Sequence, residues 1–364
     1  MTIKHLVLPG GGAASVRLLG ALKRLHDNGV WNEDEIETIH GVSAGTLISV
    51  LIALKFDMQT IVDYIIGRPW DNVFQISLTN IFDVFAKKGF FGTEMIVTFM
   101  EPFFRTKDIP LDITMQQFFE LTGVKLFFYT VEVNSFKLIT VSNETFPDLP
   151  LFEAVHMSAA YPVLLSPVMI DGNCYIDGGI ITNYPISHCL QIYPDKTEVL
   201  GIGGKPHEKN IRDISEDTTI FEYLLELIYK IVVNIYDRRI DIQSREPIPN
   251  YVEIDIPSVT ITNLQEAFNN IEERKKLLND GEMSAQEFID KCEQSSEHDS
   301  SEESNDTEIS EENNDIENSD NCHHSNKNHT LCETTDVVDT LKTKNIQEVE
   351  YDNNPWFLDS MPIV

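Results

Sequence analysis

The sequence has no apolar run of the length that a membrane span requires, which is about 18 residues or more. It is also poor in cysteine, and its five cysteines are odd in number and scattered along the chain. The first residues, MTIKHLVLPGGG, show no charged leader followed by an apolar core and a cleavage site. From these three absences we expect a reduced, intracellular chain that is cytoplasmic and meets membranes only peripherally.

Basic residues are scarce as well. The chain carries 27 basic residues against 59 acidic ones, a formal net charge of −32, and no basic stripe is interleaved with aromatics. A surface of this sign repels phosphate backbones, which argues against nucleic-acid binding. The segment 293–320 holds 12 acidic residues and no Lys or Arg. Because such a segment cannot bury enough apolar surface to offset the entropy of ordering, we predict that it is disordered.

The N-terminal part of the chain alternates short apolar strands with helical segments. Strands are predicted over residues 4–9 and 36–40, and helices over 15–29 and 46–54, with a glycine turn after the first strand and a serine turn after the second. This alternation predicts a parallel sheet covered on both faces. Both turns should therefore open at the same edge of the sheet, where the strands end.

The serine turn is the stretch GVSAG, in which Ser43 stands between two glycines. A nucleophile elbow has this pattern, because a sharp strand-to-helix turn exposes the serine oxygen and needs glycine on both sides for clearance. An ordinary turn is the alternative, since the pattern also arises by chance in chains of this length. The motif gains weight only from the other residues with which it occurs.

Two further glycine-bounded turns supply the remaining parts of an ester-hydrolase site. Gly10, Gly11 and Gly12 follow the first strand and precede a helix, so their amide groups are candidate donors for an oxyanion. Asp177, at the end of the strand in YIDGG, is the candidate general base for Ser43. The glycines that support these motifs are Gly41, Gly45, Gly178 and Gly179.

Other functions compete with this interpretation. A dinucleotide site would need glycine at position 15, where Ser15 stands. A Ser-His-Asp esterase could use His188 or His207, although the single βα unit between the glycine turn and Ser43 argues against it. A non-catalytic lipid-binding protein and an acyltransferase are also open. The segment CHHSNKNHTLC (322–332) does not match the spacing of a common zinc site, so we expect no metal and no cofactor.

The blocks PGGGAASVRLLGAL, GVSAG, MSAAYPVLLSPV and IDGGIITNYP resemble those of the patatin-like phospholipases, from about His5 to about Leu190. This resemblance implies a three-layer α/β/α fold with a mostly parallel central sheet. It also implies a Ser–Asp dyad that hydrolyses acyl esters of lipids, with Ser43 as nucleophile, Asp177 as base, the Gly10 to Gly12 turn as oxyanion hole, and no metal. The sequence departs from the family at Ala14 and Ser15, where a basic residue and a glycine are usual.

We therefore predict a catalytic domain over residues 5–190 and a helical and strand extension over 191–290 that packs on it. An acidic, low-complexity disordered segment (291–350) and an apolar C-terminal end (351–364) follow.

Two apolar features have more than one interpretation. A phenylalanine-rich stretch between residues 74 and 104 could line an acyl channel or form ordinary core. A helix is predicted over 219–239, with Glu222, Glu226 and Lys230 in a polar stripe opposite a broad apolar face that could pack in the core or dock on a membrane.

Overall fold

The structure of the protein is a computed structural model, and it describes residues 2–74, 81–206, 213–240, 247–257 and 259–303. These residues belong to a compact unit that spans residues 1–307, and the second unit, 308–364, lies outside the described residues.

The described residues form ten strands and eleven α-helices. The strands are β1 (His5–Leu8), β2 (Thr38–Val42), β3 (Gly89–Phe91), β4 (Lys125–Glu132), β5 (Lys137–Val141), β6 (Val163–Leu165), β7 (Val168–Ile170), β8 (Asn173–Asp177), β9 (Val199–Pro206) and β10 (Asn250–Ile256). The helices are α1 (Ser15–Asp27), α2 (Ala44–Ala53), α3 (Met58–Gly67), α4 (Ile81–Lys87), α5 (Thr93–Thr106), α6 (Met115–Thr122), α7 (Leu151–Ala159), α8 (Ile186–Ile192), α9 (Ile220–Ile240), α10 (Ile261–Asn269) and α11 (Ile271–Glu303).

Eight of the strands form one sheet in the order β10-β9-β1-β2-β4-β8-β7, with β5 paired to β4. The pairs among β10, β9, β1, β2 and β4 are parallel, while β5, β8 and β7 join in antiparallel fashion. The sheet is therefore mostly parallel, as predicted. The hairpin of β7 and β8 turns at Asp171 and Gly172, both with positive φ, as the Asp-Gly dipeptide indicates.

Side chains alternate between the two faces of this sheet and bury both of them. In β1, Leu6 and Leu8 enter the main core, whereas Val7 packs on the other face with Cys189 and Leu190 of α8. Because successive strand residues point to opposite faces, this alternation requires helices on both sides. The three-layer α/β/α arrangement is confirmed.

The register of β8 decides which predicted site residues meet at the edge of the sheet. The last residue of β2, Val42, pairs with Tyr129 of β4, and the next β4 residue, Thr130, pairs with Asp177. Thr130 also pairs with Ile139 of β5 on its other side. Strand β8 must therefore lie on the β4 edge that β2 occupies, and it ends against the end of β2.

The region after residue 190 does not merely pack on the sheet. Strand β9 pairs directly with β1, and β10 pairs with β9, so this region completes the central sheet. Helix α11 continues to Glu303 and enters the segment predicted to be disordered. The rest of that segment and the apolar end lie outside the described residues. None of the described helices combines the length and apolar character needed to cross a membrane.

The backbones of helices α1 and α11 are in direct contact. A Cβ added at Gly281 of α11 would lie 1.9 Å from the carbonyl oxygen of Arg17, and one added at Gly20 of α1 would lie 2.1 Å from that of Leu278. Such distances are far inside van der Waals contact, so both positions require glycine.

We predict that Gly281→Ala lowers the free energy of unfolding by about 3 kcal/mol, because the new methyl group must push the two helices apart. Gly67→Ala is the matched control: it also lies in a helix, and its added Cβ meets nothing within 4 Å. The control should be neutral or slightly stabilising in urea denaturation. Equal stability of the two variants would show that the close contact between α1 and α11 is not needed.

Candidate active site

Ser43 lies on a strained turn between β2 and α2. Its φ is 52° and its ψ is −127°, a conformation that residues other than glycine rarely adopt. Helix α2 begins at the next residue, so the chain reverses from strand to helix around the serine. A Cβ at Gly45 would lie 2.6 Å from the carbonyl oxygen of Pro9, which explains the glycine after the turn. The geometry is that of a nucleophile elbow.

The backbone of Ser43 is held by two neighbours. Its N–H donates to Ser158 Oγ at 3.1 Å, and the Ser158 hydroxyl donates to the carbonyl oxygen of Tyr129 at 2.6 Å. The Thr46 hydroxyl donates to the carbonyl oxygen of Ser43 at 2.6 Å. These bonds stabilise the strained conformation, as an over-determined turn requires.

Asp177 is almost fully buried at the end of β8. Its Oδ1 accepts the N–H of Gly179 at 2.7 Å, and its own N–H donates to the carbonyl oxygen of Ala160. Its Oδ2 makes no hydrogen bond with the described residues, while the Ser43 hydroxyl interacts with the carboxyl group and lowers its pKa. Catalytic pairs without substrate are often loose in this way.

Burial controls the ionisation of this carboxyl group. Loss of solvent raises the pKa of Asp177 to about 7, while the Ser43 hydroxyl and the Gly179 amide pull it downwards. A carboxylate with a pKa near neutrality is a stronger base than an exposed one and is still ionised in part at neutral pH. This suits proton transfer from a serine.

The glycine turn after β1 lies against Ser43. A Cβ at Gly10 would come within 2.7 Å of both Ser43 Cβ and Asn183 Oδ1, so this position must be glycine for clearance. The Gly10 N–H donates to Asn183 Oδ1 at 3.1 Å. Its amide is therefore engaged with a side chain, which differs from the donor role expected of Gly10.

Gly11 and Gly12 are the better candidate oxyanion donors. Within the described part of the chain, neither donates its amide hydrogen to a protein acceptor. Gly12 has a φ of 52°, which glycine adopts without strain, and it opens a short 3-10 turn that leads into α1. The positive end of these helical turns favours a developing negative charge.

Asn183 and Ser158 are two residues of the site to which the sequence reasoning gave no role. Asn183 accepts from the Gly10 N–H and donates through Nδ2 to the Gly10 carbonyl oxygen at 3.0 Å. The Asn183 Oδ1 atom would also lie 3.1 Å from a Cβ added at Gly179. Asn183 thus links the glycine turn to the loop of Asp177. Both residues stand inside the motif blocks quoted above, which is the signal that could have identified them.

The remaining supporting glycines also meet close neighbours. Gly41 faces the Ser49 hydroxyl, and a Cβ at Gly178 would lie 2.2 Å from the carbonyl oxygen of Tyr129. Gly178 therefore lets the Asp177 loop lie directly on β4.

Arg17 does not replace the missing basic residue of the glycine turn. Its guanidinium pairs with Asp280 of α11, with Nη2 3.1 Å from Oδ2. Ser15, where the family usually has glycine, lines the cavity beside the turn. The charge that a basic side chain would bring to this turn is therefore not supplied by Arg17.

A cavity of about 1140 Å³ opens on Ser43 and Asp177. One part of its wall is apolar and includes Leu47, Ile65, Trp70, Phe74, Phe91 and Phe99. The phenylalanine-rich stretch therefore has members in different environments. Phe74, Phe91 and Phe99 line the cavity, Phe103 and Phe104 belong to the core, and Phe85 is exposed. The side chain of Phe82 lies outside the described residues.

His188 lines the same cavity, but its hydrogen-bond partner is the Ser187 hydroxyl, at 3.5 Å. It makes no hydrogen bond to Ser43 or Asp177, so the described residues do not form a Ser-His-Asp triad. His207 lies outside the described residues, as does the cysteine- and histidine-rich segment 322–332. No group of three or more candidate metal ligands occurs in the part of the chain that the structure describes.

Fold and site together define an α/β/α protein whose strained serine turn meets a buried carboxylate at the carboxyl edge of a parallel sheet. The family model for patatin-like phospholipases matches residues 6–190, half of the chain. The chain belongs to this family, which confirms the resemblance seen in its motifs.

Two viral proteins are similar in sequence. The chain is 31% identical over 197 residues to the probable lipid hydrolase 463L of Invertebrate iridescent virus 6, an alignment that covers 54% of this chain and 66% of that protein. It is 28% identical over 208 residues to the uncharacterized protein R571 of Acanthamoeba polyphaga mimivirus, covering 57% of this chain and 67% of that protein. The match to the first relative thus spans slightly less than two thirds of its length.

Solved structures show a distant likeness. VipD from Legionella pneumophila superposes with a TM-score of 0.48 at 18% identity, over 80% of this chain and 67% of VipD. ExoU in its heterodimeric complex with SpcU, from the type III secretion system of Pseudomonas aeruginosa, gives a TM-score of 0.40 at 14% identity, over 79% of this chain and 51% of that one. Similarity at this level does not extend to function.

We predict that Asn183→Ala lowers kcat for ester hydrolysis by about 10- to 100-fold with little change in KM, because the glycine turn loses both bonds that fix it. Asn250→Ala is the matched control, since the Asn250 amide also donates to two backbone carbonyls, those of Thr197 and Val199, and Asn250, unlike Asn183, is not in the cavity wall. Both variants should lose similar stability, and the control should keep its kcat. An equal fall in kcat in the two variants would show that Asn183 affects turnover only through the stability of the fold.

Proposed function

We propose that the protein is a lipid acyl hydrolase of the phospholipase A or related lipase type, in which Ser43 and Asp177 act as a catalytic dyad. One observation carries this proposal: β8 ends against β2, so the buried Asp177 carboxyl group stands beside the hydroxyl of a strained, cavity-facing serine. Sequence similarity to the iridescent virus protein that is named a probable lipid hydrolase also supports the proposal.

The reaction starts when Asp177 accepts the Ser43 proton while Oγ attacks the carbonyl carbon of the ester. The carbonyl oxygen becomes an oxyanion, which the amides of Gly11 and Gly12 stabilise. Collapse of the tetrahedral intermediate breaks the ester bond and transfers the proton from Asp177 to the leaving alcohol. A water molecule, deprotonated by Asp177, then attacks the acyl-enzyme. The bond between the acyl group and Ser43 Oγ breaks, the fatty acid leaves, and Asp177 returns the proton to Oγ.

The cavity supports a lipid as the acyl donor. Its apolar wall can accept a hydrocarbon chain, because burial of apolar surface is favourable and aromatic side chains contribute large contact areas. Arg274 also lines the cavity, but its guanidinium donates to the backbone carbonyls of Ile66, Arg68, Ala267 and Phe268. It therefore stabilises the ends of two helices. The proposed substrates are acyl esters, phospholipid or neutral, reached by peripheral membrane contact.

Ser43→Ala should lower turnover of a short p-nitrophenyl ester by at least about 10³-fold, and Asp177→Asn should lower it nearly as much, because each removes one member of a unit. A fluorophosphonate probe should label the wild type at Ser43. Ser187→Ala, which changes another cavity serine, should keep full turnover. Full activity of Ser43→Ala, or a wild type that the probe does not label, would contradict the dyad.

The pKa of Asp177 gives a prediction for pH. Only the carboxylate can accept a proton, so kcat/KM should rise with pH and level off above an apparent pKa of about 7. A profile that stays flat from about pH 5 to pH 8 would exclude Asp177 as the base, because its ionisation would then not matter.

The same group gives a prediction for stability. Because its pKa is higher in the folded chain than the ordinary 3.8, the stability that the protonated form contributes is lost as pH rises from 3.8 through about 7. Above that range the buried charge costs on the order of 4 kcal/mol. Asp177→Asn cannot ionise, so its Tm should exceed that of the wild type at about pH 8, with the difference shrinking towards about pH 5. Asp112→Asn, which changes an exposed carboxylate, is the control substitution.

A further inference from the structure

Exposed apolar side chains cluster on one part of the surface. Ile220, Tyr223 and Ile231 of α9 are 59%, 39% and 49% exposed, and Phe85 of α4 is 65% exposed. The Phe85 ring lies 6.4 Å from that of Phe221, which joins the two helices. We call these four exposed residues the α9 patch. Exposed apolar residues are ordinary when single, but a group of this kind marks an interaction surface.

The orientation of α9 produces this patch. Ile220 and Ile231 are eleven residues apart, about three helical turns, so they lie on one line along the helix, about 16 Å apart. On the opposite side Leu225 and Glu226 are buried, Glu226 to 3% exposure. The predicted polar stripe of Glu222, Glu226 and Lys230 is therefore not an exposed one, because its middle residue lies inside. The helix exposes two isoleucines, an arrangement that costs free energy in water.

The inner face of α9 forms part of the active-site wall. Tyr229, Val232 and Val233 line the cavity that contains Ser43, while Ile231 between them points to solvent. Burial raises the pKa of the Tyr229 phenol, and the negative charge of Glu226 raises it further. One helix thus separates the catalytic cavity from the exposed apolar patch.

We propose that the α9 patch docks on the surface of a lipid aggregate whose headgroups carry no net charge, and so brings the cavity to its substrate. This inference rests on the proposed lipid hydrolase function, because the cavity behind the patch is then the place where an acyl chain must arrive. Tyrosine among isoleucines suits the boundary between headgroups and acyl chains, since its ring is apolar and its hydroxyl is polar.

Charge decides which lipid surface fits. The segment that leads into α9 carries three exposed acidic residues, Asp213, Glu216 and Asp217, against two exposed basic residues, Lys87 and Lys88, that follow Phe85. The whole chain has a formal net charge of −32. Anionic headgroups would repel this side of the molecule, whereas zwitterionic or neutral ones would not. The apolar patch then supplies the attraction.

The test compares two variants of the full-length chain. Ile220→Ser/Ile231→Ser changes the patch without changing a residue that lines the cavity. Leu121→Ser/Met283→Ser is the matched control, since these side chains are 56% and 57% exposed and lie elsewhere, on α6 and α11. We measure co-sedimentation with phosphatidylcholine vesicles, with and without added phosphatidylserine, and turnover of a short p-nitrophenyl ester.

The patch variant should bind phosphatidylcholine vesicles about tenfold or more weakly than the wild type, with unchanged turnover of the soluble ester and unchanged Tm. The control variant should bind like the wild type, and phosphatidylserine should weaken the binding of all three proteins.

Four results would overturn the docking surface while the proposed function stands. The first is an active wild type that does not bind the vesicles, and the second is an equal loss of binding in the control variant. The third is a patch variant that loses soluble-ester turnover or has a lower Tm. The fourth is a wild-type dimer that the patch substitutions dissociate. Loss of vesicle binding in Trp356→Ser/Phe357→Ser, with unchanged binding by the patch variant, would be a fifth, because the apolar C-terminal end would then be the part that contacts lipid. A wild type that binds through the patch but hydrolyses no ester would overturn the proposed function and would still support the docking surface.

Discussion

The site depends on a single feature of strand pairing. Strand β4 is longer than β2, and the part of β4 that extends beyond β2 pairs on the same edge with β8. Strands β2 and β8 run in opposite directions and meet at their C-terminal ends. The residue after β2, Ser43, therefore lies beside the last residue of β8, Asp177. Ser43 and Asp177, 134 positions apart in the sequence, are brought together by backbone hydrogen bonds of β4 rather than by an interaction of their own.

Close backbone contacts keep this meeting point narrow. Gly178 lies against the Tyr129 carbonyl, Gly45 against that of Pro9, and Gly10 against Ser43 itself. Each contact forbids a side chain, so the glycines act mainly by leaving space. The same packing removes water from Asp177. The high pKa of its carboxyl group is thus a consequence of the close contacts that position it.

Stability and function oppose each other at two places. The strained backbone of Ser43 and the buried Asp177 carboxylate both cost free energy, and both fit the proposed reaction, which needs an accessible hydroxyl and a strong base. Helix α9 shows the same opposition on the surface, where exposed Ile220 and Ile231 are unfavourable in water. A lipid surface would remove that cost, as the core does for the apolar residues of α1.

The sequence alone determined the elements and turns that carry the predicted site residues, because these depend on local periodicity and on glycine. It did not predict that α11 continues to Glu303. The strand-to-helix turn at Ser43, the Asp-Gly hairpin before Asp177 and the helix over 219–239 all follow from spacing within a few residues.

Contacts between residues that lie far apart in the chain were decided only by the tertiary structure. Sequence could not show that the Gly10 amide is engaged by Asn183, that Arg17 pairs with Asp280, or that α9 turns Glu226 inwards. Nor could it show that β9 and β10 complete the sheet. Each of these depends on which surfaces pack together, and periodicity describes only which side of an element is apolar, not what that side meets.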